Sequence, residues 1–330
     1  MLRDMMPHFD LFQPDTLAGA LELAGQLGSA GWIVGGGQDS WDWLKNRVRR
    51  TQAVIDLSGV AELKGIRQHE GGIAIGALTT LTEVEEHPLV RERFGLLASA
   101  AGRVASPQIR NAGTLGGNLS QATRCWYYRG GVDCYRAGGN MCYADTPDGQ
   151  NREHAIFGAS RCVAVTPSDT ACALTALDAS VVLARNGGER VLTAAQFFVA
   201  PGTDIQRMTA LRPGEILTEV RIPATWAGAQ FHFEKVADRQ VWDFALLSIA
   251  AAFRMQQGRV MDSRMVLGAA ACVPWRLRAV EAALVDRVRD AATAEAVATL
   301  ESGKARTLKY NGFKLPLMEN LVRRAVRGDA

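Results

Sequence analysis

Asn111-Ala-Gly-Thr-Leu-Gly-Gly-Asn118 is the stretch on which the reading of this chain turns. Its paired glycines leave backbone amides uncovered. Thr114 and Asn118, with Gln121 and Thr123 just beyond, supply small polar side chains suited to a phosphate or a ribityl chain. Four of the chain's six cysteines follow within 38 residues: Cys125, Cys134, Cys142 and Cys162. A thiol cluster beside a backbone-exposing turn suggests an inorganic centre next to a phosphate-bearing cofactor, and that pairing points to electron transfer.

Upstream lies a second glycine-rich turn, Val34-Gly-Gly-Gly-Gln-Asp39, with Ile33 before it and Ser40 after it. Trp32–Val34 reads as a strand, and Gln38, Asp39 and Ser40 offer caps for a helix over 41–48. Amides at such a boundary can hold an anion. Ser40 stands where a dinucleotide fingerprint needs its third glycine, which disfavours a nicotinamide-type motif. Taken alone, either turn is more simply a tight corner needing positive φ. Two of them, both read at strand–helix boundaries, favour a cofactor cleft.

The cysteines are spaced C-x8-C-x7-C-x19-C. Structural zinc usually takes close pairs, and this chain has none in the window. Wide, unequal spacing suits a cuboidal [4Fe–4S] cluster wrapped by loop. Zinc and unligated core thiols stay open as alternatives. Trp126, Tyr127, Tyr128 and Tyr135 are placed to shield a cluster, and Gly130, Gly131, Gly138 and Gly139 to free amides for sulfur. Cys172 and Cys272 sit in apolar, alanine-rich contexts and read as inert core residues. His154 falls inside the cysteine segment; packing is its simpler role, a contact behind the thiols the alternative.

Composition sets the outer limits. Of 330 residues, 48% are hydrophobic and 22% charged, which is ordinary for a globular chain of two or three domains. The net charge of +3 comes from dispersed residues, so no nucleic-acid surface is expected. No apolar run reaches the ~18–20 residues of a membrane span. The start MLRDMMPHFDLFQPD, with an early acid at Asp4, lacks the apolar core of a signal peptide. The expected compartment is the cytoplasm, or the periplasm by co-export with a signal-bearing partner. Along the chain, helix and strand alternate irregularly. Thr80-Leu-Thr-Glu83 predicts a capping box ahead of a helix ended by Pro88. Strands are predicted over 162–165, 180–184, 215–222 and 260–268, helices over 96–104, 168–177 and 279–300, and an apolar helix or strand over 244–253.

The two turns, Val34–Asp39 and Thr114–Asn118, resemble the FAD-binding loops of the flavoprotein subunit of the xanthine oxidase family of molybdenum hydroxylases. The resemblance extends to Thr166-Pro-Ser-Asp169, Pro213–Leu217 and the stretch from Lys235 to Ala250, and so covers nearly the whole chain. Gln38 departs from the family's usual threonine. About 40 residues carrying the four cysteines intervene where ordinary members run straight on. Thr123–Tyr128 and Asn151–Gly158 are similar to the periplasmic-type aldehyde oxidoreductase branch, whose insertion holds a [4Fe–4S] cluster.

The resemblance implies an α+β fold of the vanillyl-alcohol oxidase (PCMH) type. Two FAD-binding subdomains (1–60 and 61–224, with the insertion at about 122–163) would precede a small α+β C-terminal domain of the CO dehydrogenase flavoprotein type (225–330). It implies FAD held by Ile33–Ser40, Gly113, Thr114, Gly116, Gly117, Asn118, Gln121, Thr123 and Asp169, with Ile216, Leu217 and Lys235 near the isoalloxazine. It implies a [4Fe–4S] cluster on Cys125, Cys134, Cys142 and Cys162, with no substrate catalysis in this chain. The implied partners are a large molybdenum-cofactor subunit, a small subunit with two [2Fe–2S] clusters, and a ferredoxin, quinone-linked or oxygen acceptor. A 4-hydroxybenzoyl-CoA reductase-like subunit, a zinc-stapled scaffold without flavin and a MurB-like flavoenzyme are the rival readings.

Overall fold

A computed structural model describes residues 5–328, so Asp4 lies outside the described residues. Three sheets follow one another along the chain. The first is parallel: β1 (Asp10–Phe12), β2 (Gly31–Val34) and β3 (Ala53–Asp56) in the order β1-β3-β2. The helix Leu17–Leu27 turns its Ala20 and Ala24 face onto it, and the Thr16 hydroxyl caps that helix.

The second sheet is antiparallel. It contains β4 (Ile66–His69), β5 (Gly72–Gly76), β6 (Ser180–Arg185), β7 (Gly188–Thr193) and β8 (Ile216–Ile222), ordered β4-β5-β8-β6-β7. Chain from opposite sides of the cysteine segment therefore pairs at β5–β8. The small-residue helix Gly95–Gly102 and the wholly buried helix Asp169–Ala176 form one core with this sheet, in which alanines allow close approach. The third sheet, β9 (Gln230–Val236), β10 (Leu247–Gln256), β11 (Arg259–Gly268) and β12 (Trp275–Arg276), is also antiparallel and is backed by the terminal helix Lys314–Arg327.

Several expectations are corrected. The segment 162–165 is not a strand: Cys162 and Ala164 pack against Cys272, and Ala155 N donates to the Val163 carbonyl. The ambiguous 244–253 stretch is strand from Leu247 onward. The expected 279–300 helix is two helices, Arg278–Leu284 and Ala291–Ala298, parted at Asp286, whose φ is 61°. The Thr80–Glu83 capping box forms as predicted, and Pro88 both ends that helix and opens the next.

Residues 122–163 hold only the short helix Trp126–Arg129 and single 3-10 turns. Tertiary bonds give this segment its shape. Ile156 and Phe157 N–H donate to the Ala270 carbonyl, and Asn311 donates to the His154 and Ala155 carbonyls. Buried Lys314 donates to the carbonyls of Glu153 and Ala269. The segment is thereby fastened to the turn after β11 and to the chain leading into the terminal helix.

Candidate cofactor cleft and thiol pocket

Two joined cavities make one cleft. The first, about 280 Å³, is lined by Ile33, Gly35–Ser40, Gly113, Thr114, Gly117, Asn118, Gln121, Asp169 and Lys235. The second, about 380 Å³, runs from Asp169 past Pro167 to Thr123, Cys125 and His154. Both share Arg124, Pro167, Asp169, Trp242, Asp243 and Phe244.

The glycines of the narrow arm serve different ends. Only Gly37 needs the left-handed region, with φ 73°. A Cβ on Gly36 would lie 1.8 Å from the Ala112 carbonyl, so this residue lets the two turns touch. A Cβ on Gly116 would meet Ala77 at 2.8 Å, which makes it a packing residue outside the cleft. Gly117 is different: its Cβ would meet only the Thr114 hydroxyl, at 3.0 Å, and it lines the cavity. A side chain there fills the cleft rather than the fold. The second turn joins two helices, Pro107–Ala112 and Leu115–Ser120, rather than a strand and a helix, and the Thr114 hydroxyl caps the latter.

Polar groups around this arm are fixed before any ligand arrives. The Asn118 side-chain oxygen accepts from Ser168 and Thr170, both at 2.6 Å, which sets the amide's rotation and leaves its NH2 to the cleft. Lys235 donates to Asp169 at 2.6 Å and to the Arg103 carbonyl. Burial pushes the Asp169 carboxyl up, and the Lys235 ammonium opposes that shift.

Asp39 does not cap its helix as expected. Its carboxylate instead accepts from Arg124 (3.0 Å), Arg129 (2.7 Å) and the Ala122 amide. Arg129 also pairs with Asp42, donates to the Thr123 carbonyl and stacks on Trp43 at 3.8 Å. Arg124 lies 4.7 Å over the Phe244 ring. Neither arginine was anticipated, because they lie beyond both glycine motifs and reach the cleft only through the fold. Arg124 lines both arms, whereas Arg129 lines only the wide one, and Asp39 offsets the charge of both.

Val34, Gly116, Ile216 and Leu217 do not line the cleft. Val34 points into the small core behind β2. Ile216 and Leu217 alternate along β8, so one side chain enters the core with Leu78 and the other the core with Val181. The aromatic lining comes instead from Trp242 and Phe244, on the loop after β9. Trp242 holds φ 55°, its N–H donates to the Ala105 carbonyl, and its side chain is 69% exposed.

Cys125, Cys134, Cys142 and Cys162 line one small pocket with Arg136 and His154. The open space among them is about 10 Å³, and among the described residues no three His, Cys, Asp or Glu side chains are placed to hold a single metal ion. The thiols ring the pocket without meeting. One tetrahedral zinc would need its four sulfurs to converge on a point. A cuboidal cluster gives each thiolate its own iron, so its ligands stand farther apart. Seating one requires the side chains to swing outward.

The charge and donor set fit such a group. Arg136 is 3% exposed, and its Nη2 lies 3.8 Å from Cys162 Sγ. Its Nε and Nη1 have no partner among the described residues. A buried cation needs compensating negative charge; Cys162 supplies part of it, and a cluster of thiolates would supply more. Cys272 lies against Cys162 and is no isolated core thiol; together with Arg136 it holds the Cys162 thiol well below the usual range. Burial pushes Cys125 up to about 11. His154 Nε2 is 3.3 Å from Cys125 Sγ, and burial with Lys314 nearby pulls the imidazole down to about 4.

Amides do reach sulfur, but they are not those of the glycines. Tyr127 and Tyr128 serve Cys125, and Val163, Ala144 and Asp145 serve Cys142. The four glycine amides bond carbonyls instead. Tyr128 is buried against Trp43 and Tyr127 stacks on Tyr143, whereas Trp126 is 69% exposed and shields nothing. Cys172 is a core residue, as expected.

Comparison with known proteins gives a consistent picture. Residues 7–225 match the profile of the FAD binding domain in molybdopterin dehydrogenase. Residues 232–328 match the CO dehydrogenase flavoprotein C-terminal domain. The chain is 35% identical over 289 residues to an aldehyde oxidoreductase FAD-binding subunit of Escherichia coli K12, spanning 86% of this chain and 87% of that one. It is 29% identical over 261 residues to the carbon monoxide dehydrogenase medium chain of Hydrogenophaga pseudoflava, 79% of this chain and 74% of that one. The solved carbon monoxide dehydrogenase of the same organism, lacking the Mo-pyranopterin moiety, superposes with a TM-score of 0.76 at 26% identity, over 98% of this chain and 97% of that one.

Proposed function

Because the chain belongs to the family of FAD-binding medium subunits of molybdenum hydroxylases, an oxidoreductase family, we propose that it carries electrons between a molybdenum-containing partner and an external acceptor, through FAD and a [4Fe–4S] cluster. The partners would be a large molybdenum-cofactor subunit that oxidises an aldehyde and a small subunit with two [2Fe–2S] clusters. The 35% identity to an aldehyde oxidoreductase subunit favours that substrate class over an aryl-CoA.

One observation carries the reading: the wide arm of the cleft and the thiol pocket share Thr123, Cys125 and His154 as walls. A flavin ring in that arm and a cluster in that pocket would be neighbours. Bound FAD would supply conversion between one- and two-electron steps, and the cluster a one-electron store. The chain's own residues bind and orient. The amides of 35–39 and of Thr114, with Arg124, would hold the pyrophosphate. Asn118, Asp169 and Lys235 would fix the ribityl chain and ring edge, and Trp242 and Phe244 would cover the ring. Cys125, Cys134, Cys142 and Cys162 would ligate iron. The three successive sheets support divisions near 60 and 225. Among the described residues no helix is long and apolar enough to cross a membrane; we assign the chain to the cytoplasm, or to the periplasm by co-export.

The test is a visible spectrum, with FAD, iron and zinc quantified, on anaerobically purified chain. About four iron atoms and about one FAD per chain are expected. Zinc without flavin would overturn the proposal.

A further inference from the structure

We infer that Arg136 sets the reduction potential of the cluster, holding it above the value the four thiolates alone would give. The inference rests on the cluster reading above. Arg136 is 3% exposed, and its one bond within the described chain is from Nη2 to Cys162 Sγ, at 3.8 Å. Nε and Nη1 are buried without a partner. No carboxylate shares the pocket, whose other walls are thiols, aromatic rings, Thr123, His154 and two alanines. The guanidinium is therefore a positive charge fixed beside the ligands, with no carboxylate in the pocket to oppose it.

An arginine is always protonated, so this charge does not vary with pH. Reduction places one more negative charge in the pocket. A cation a few ångströms away, in a medium where water is excluded, stabilises the reduced form more than the oxidised one. The change is one electron gained, supplied by reduced flavin or, in a test, by dithionite, with no bond made or broken. A higher cluster potential favours electron transfer to the cluster from the flavin side of Cys125. Arg136 is a positioning residue: it touches a ligand, not the flavin, and it lines neither arm of the flavin cleft.

The experiment compares wild type, Arg136→Gln and Arg136→Lys as full chains by potentiometric titration, following the cluster by electron paramagnetic resonance and the flavin by absorbance. Gln is expected to lower the cluster potential, Lys to restore most of it, and the flavin potential to stay put in both. An unshifted cluster potential in the Gln variant, with iron retained, overturns the inference. Should the Gln variant lose its iron, the Lys variant decides: a near-wild-type potential supports the role of charge, and a potential lowered despite the retained charge overturns it, as does loss of iron there too. Wild type without iron sinks the cluster reading as well, which separates the two failures.

Discussion

The glycine-lined arm of the cleft and the cysteine pocket lie side by side yet are built on opposite plans. The arm is backbone held by regular structure. β2 and the helix Leu115–Ser120 present two turns that touch where Gly36 meets the Ala112 carbonyl, leaving about 280 Å³ open. The pocket is side chains on a segment with almost no regular structure, closed to about 10 Å³, with an arginine inside whose Nη2 meets Cys162 Sγ and whose Nε and Nη1 have no partner among the described residues. The first site is pre-organised for its ligand; the second would take its ligand only after its side chains swing outward. Removing one residue should therefore empty either site while leaving the other intact.

The largest effects test that independence. Cys134→Ser is expected to reduce iron to near zero while FAD stays at wild-type content. Gly117→Val should remove FAD while iron holds and the melting temperature matches that of FAD-free wild type, because its side chain projects into the cleft. Gly116→Val, one residue earlier, should instead unfold the chain against the Ala77 backbone. Loss of both cofactors in Cys134→Ser would make the two regions a single cooperative site and end the comparison.

A smaller effect separates cleft stability from cleft chemistry. Asp169 and Lys235 form a buried pair across the junction of the arms, their side chains 6% and 4% exposed. Asp169→Leu leaves the ammonium with only the Arg103 carbonyl. Removing one partner of a buried pair costs about 3–5 kcal/mol, to be read by urea unfolding of the FAD-free chain. A cost under about 1 kcal/mol, the range of an exposed pair, would show that water reaches the pair.

The same contrast explains what the sequence made legible. Thr114–Asn118 and Gly35–Asp39 could be read because backbone exposure is written in adjacent glycines, and the four cysteines because their clustering is improbable. Arg124, Arg129 and Arg136 could not: an arginine in a list of 37 basic residues carries no mark of where it folds. Cys272 lies 110 residues from Cys162 and meets it only through the turn after β11. Ile216 and Leu217 lie on the central strand of their sheet, so both faces are core and neither side chain lines the cleft. Trp242 and Phe244, on an irregular loop, had no periodicity to betray them.

Arg129 sharpens the comparison, since it is the clamp between the two plans. It ties Asp39 and Asp42 of the first turn to the Thr123 carbonyl at the start of the cysteine segment. Arg129→Met keeps the stem on Trp43 but loses the fork. FAD affinity should fall about tenfold, equivalent to about 1.4 kcal/mol, in equilibrium dialysis. Iron should also be lost faster to a chelator. FAD weakened with unchanged iron loss would mean that the clamp serves the cleft alone.

The smallest effect is a pH slope, and it tests whether the cysteine segment is fastened as the fold suggests. Burial pulls Lys314 down to about 7 from 10.5. Between those values the unfolded chain holds a proton that the folded chain has released. Unfolding then takes up protons, so stability from this group rises with pH from about 7 to about 10.5 and is lowest where the buried amine is charged. The slope is at most about 1.4 kcal/mol per pH unit. Lys314→Met should flatten it, seen as wild type minus variant in urea unfolding at pH 7 and pH 9. The variant also drops the bonds to the Glu153 and Ala269 carbonyls, so its iron should leave faster at either pH while FAD does not. Equal slopes in the two proteins would place Lys314 in contact with water and loosen the segment from the terminal helix.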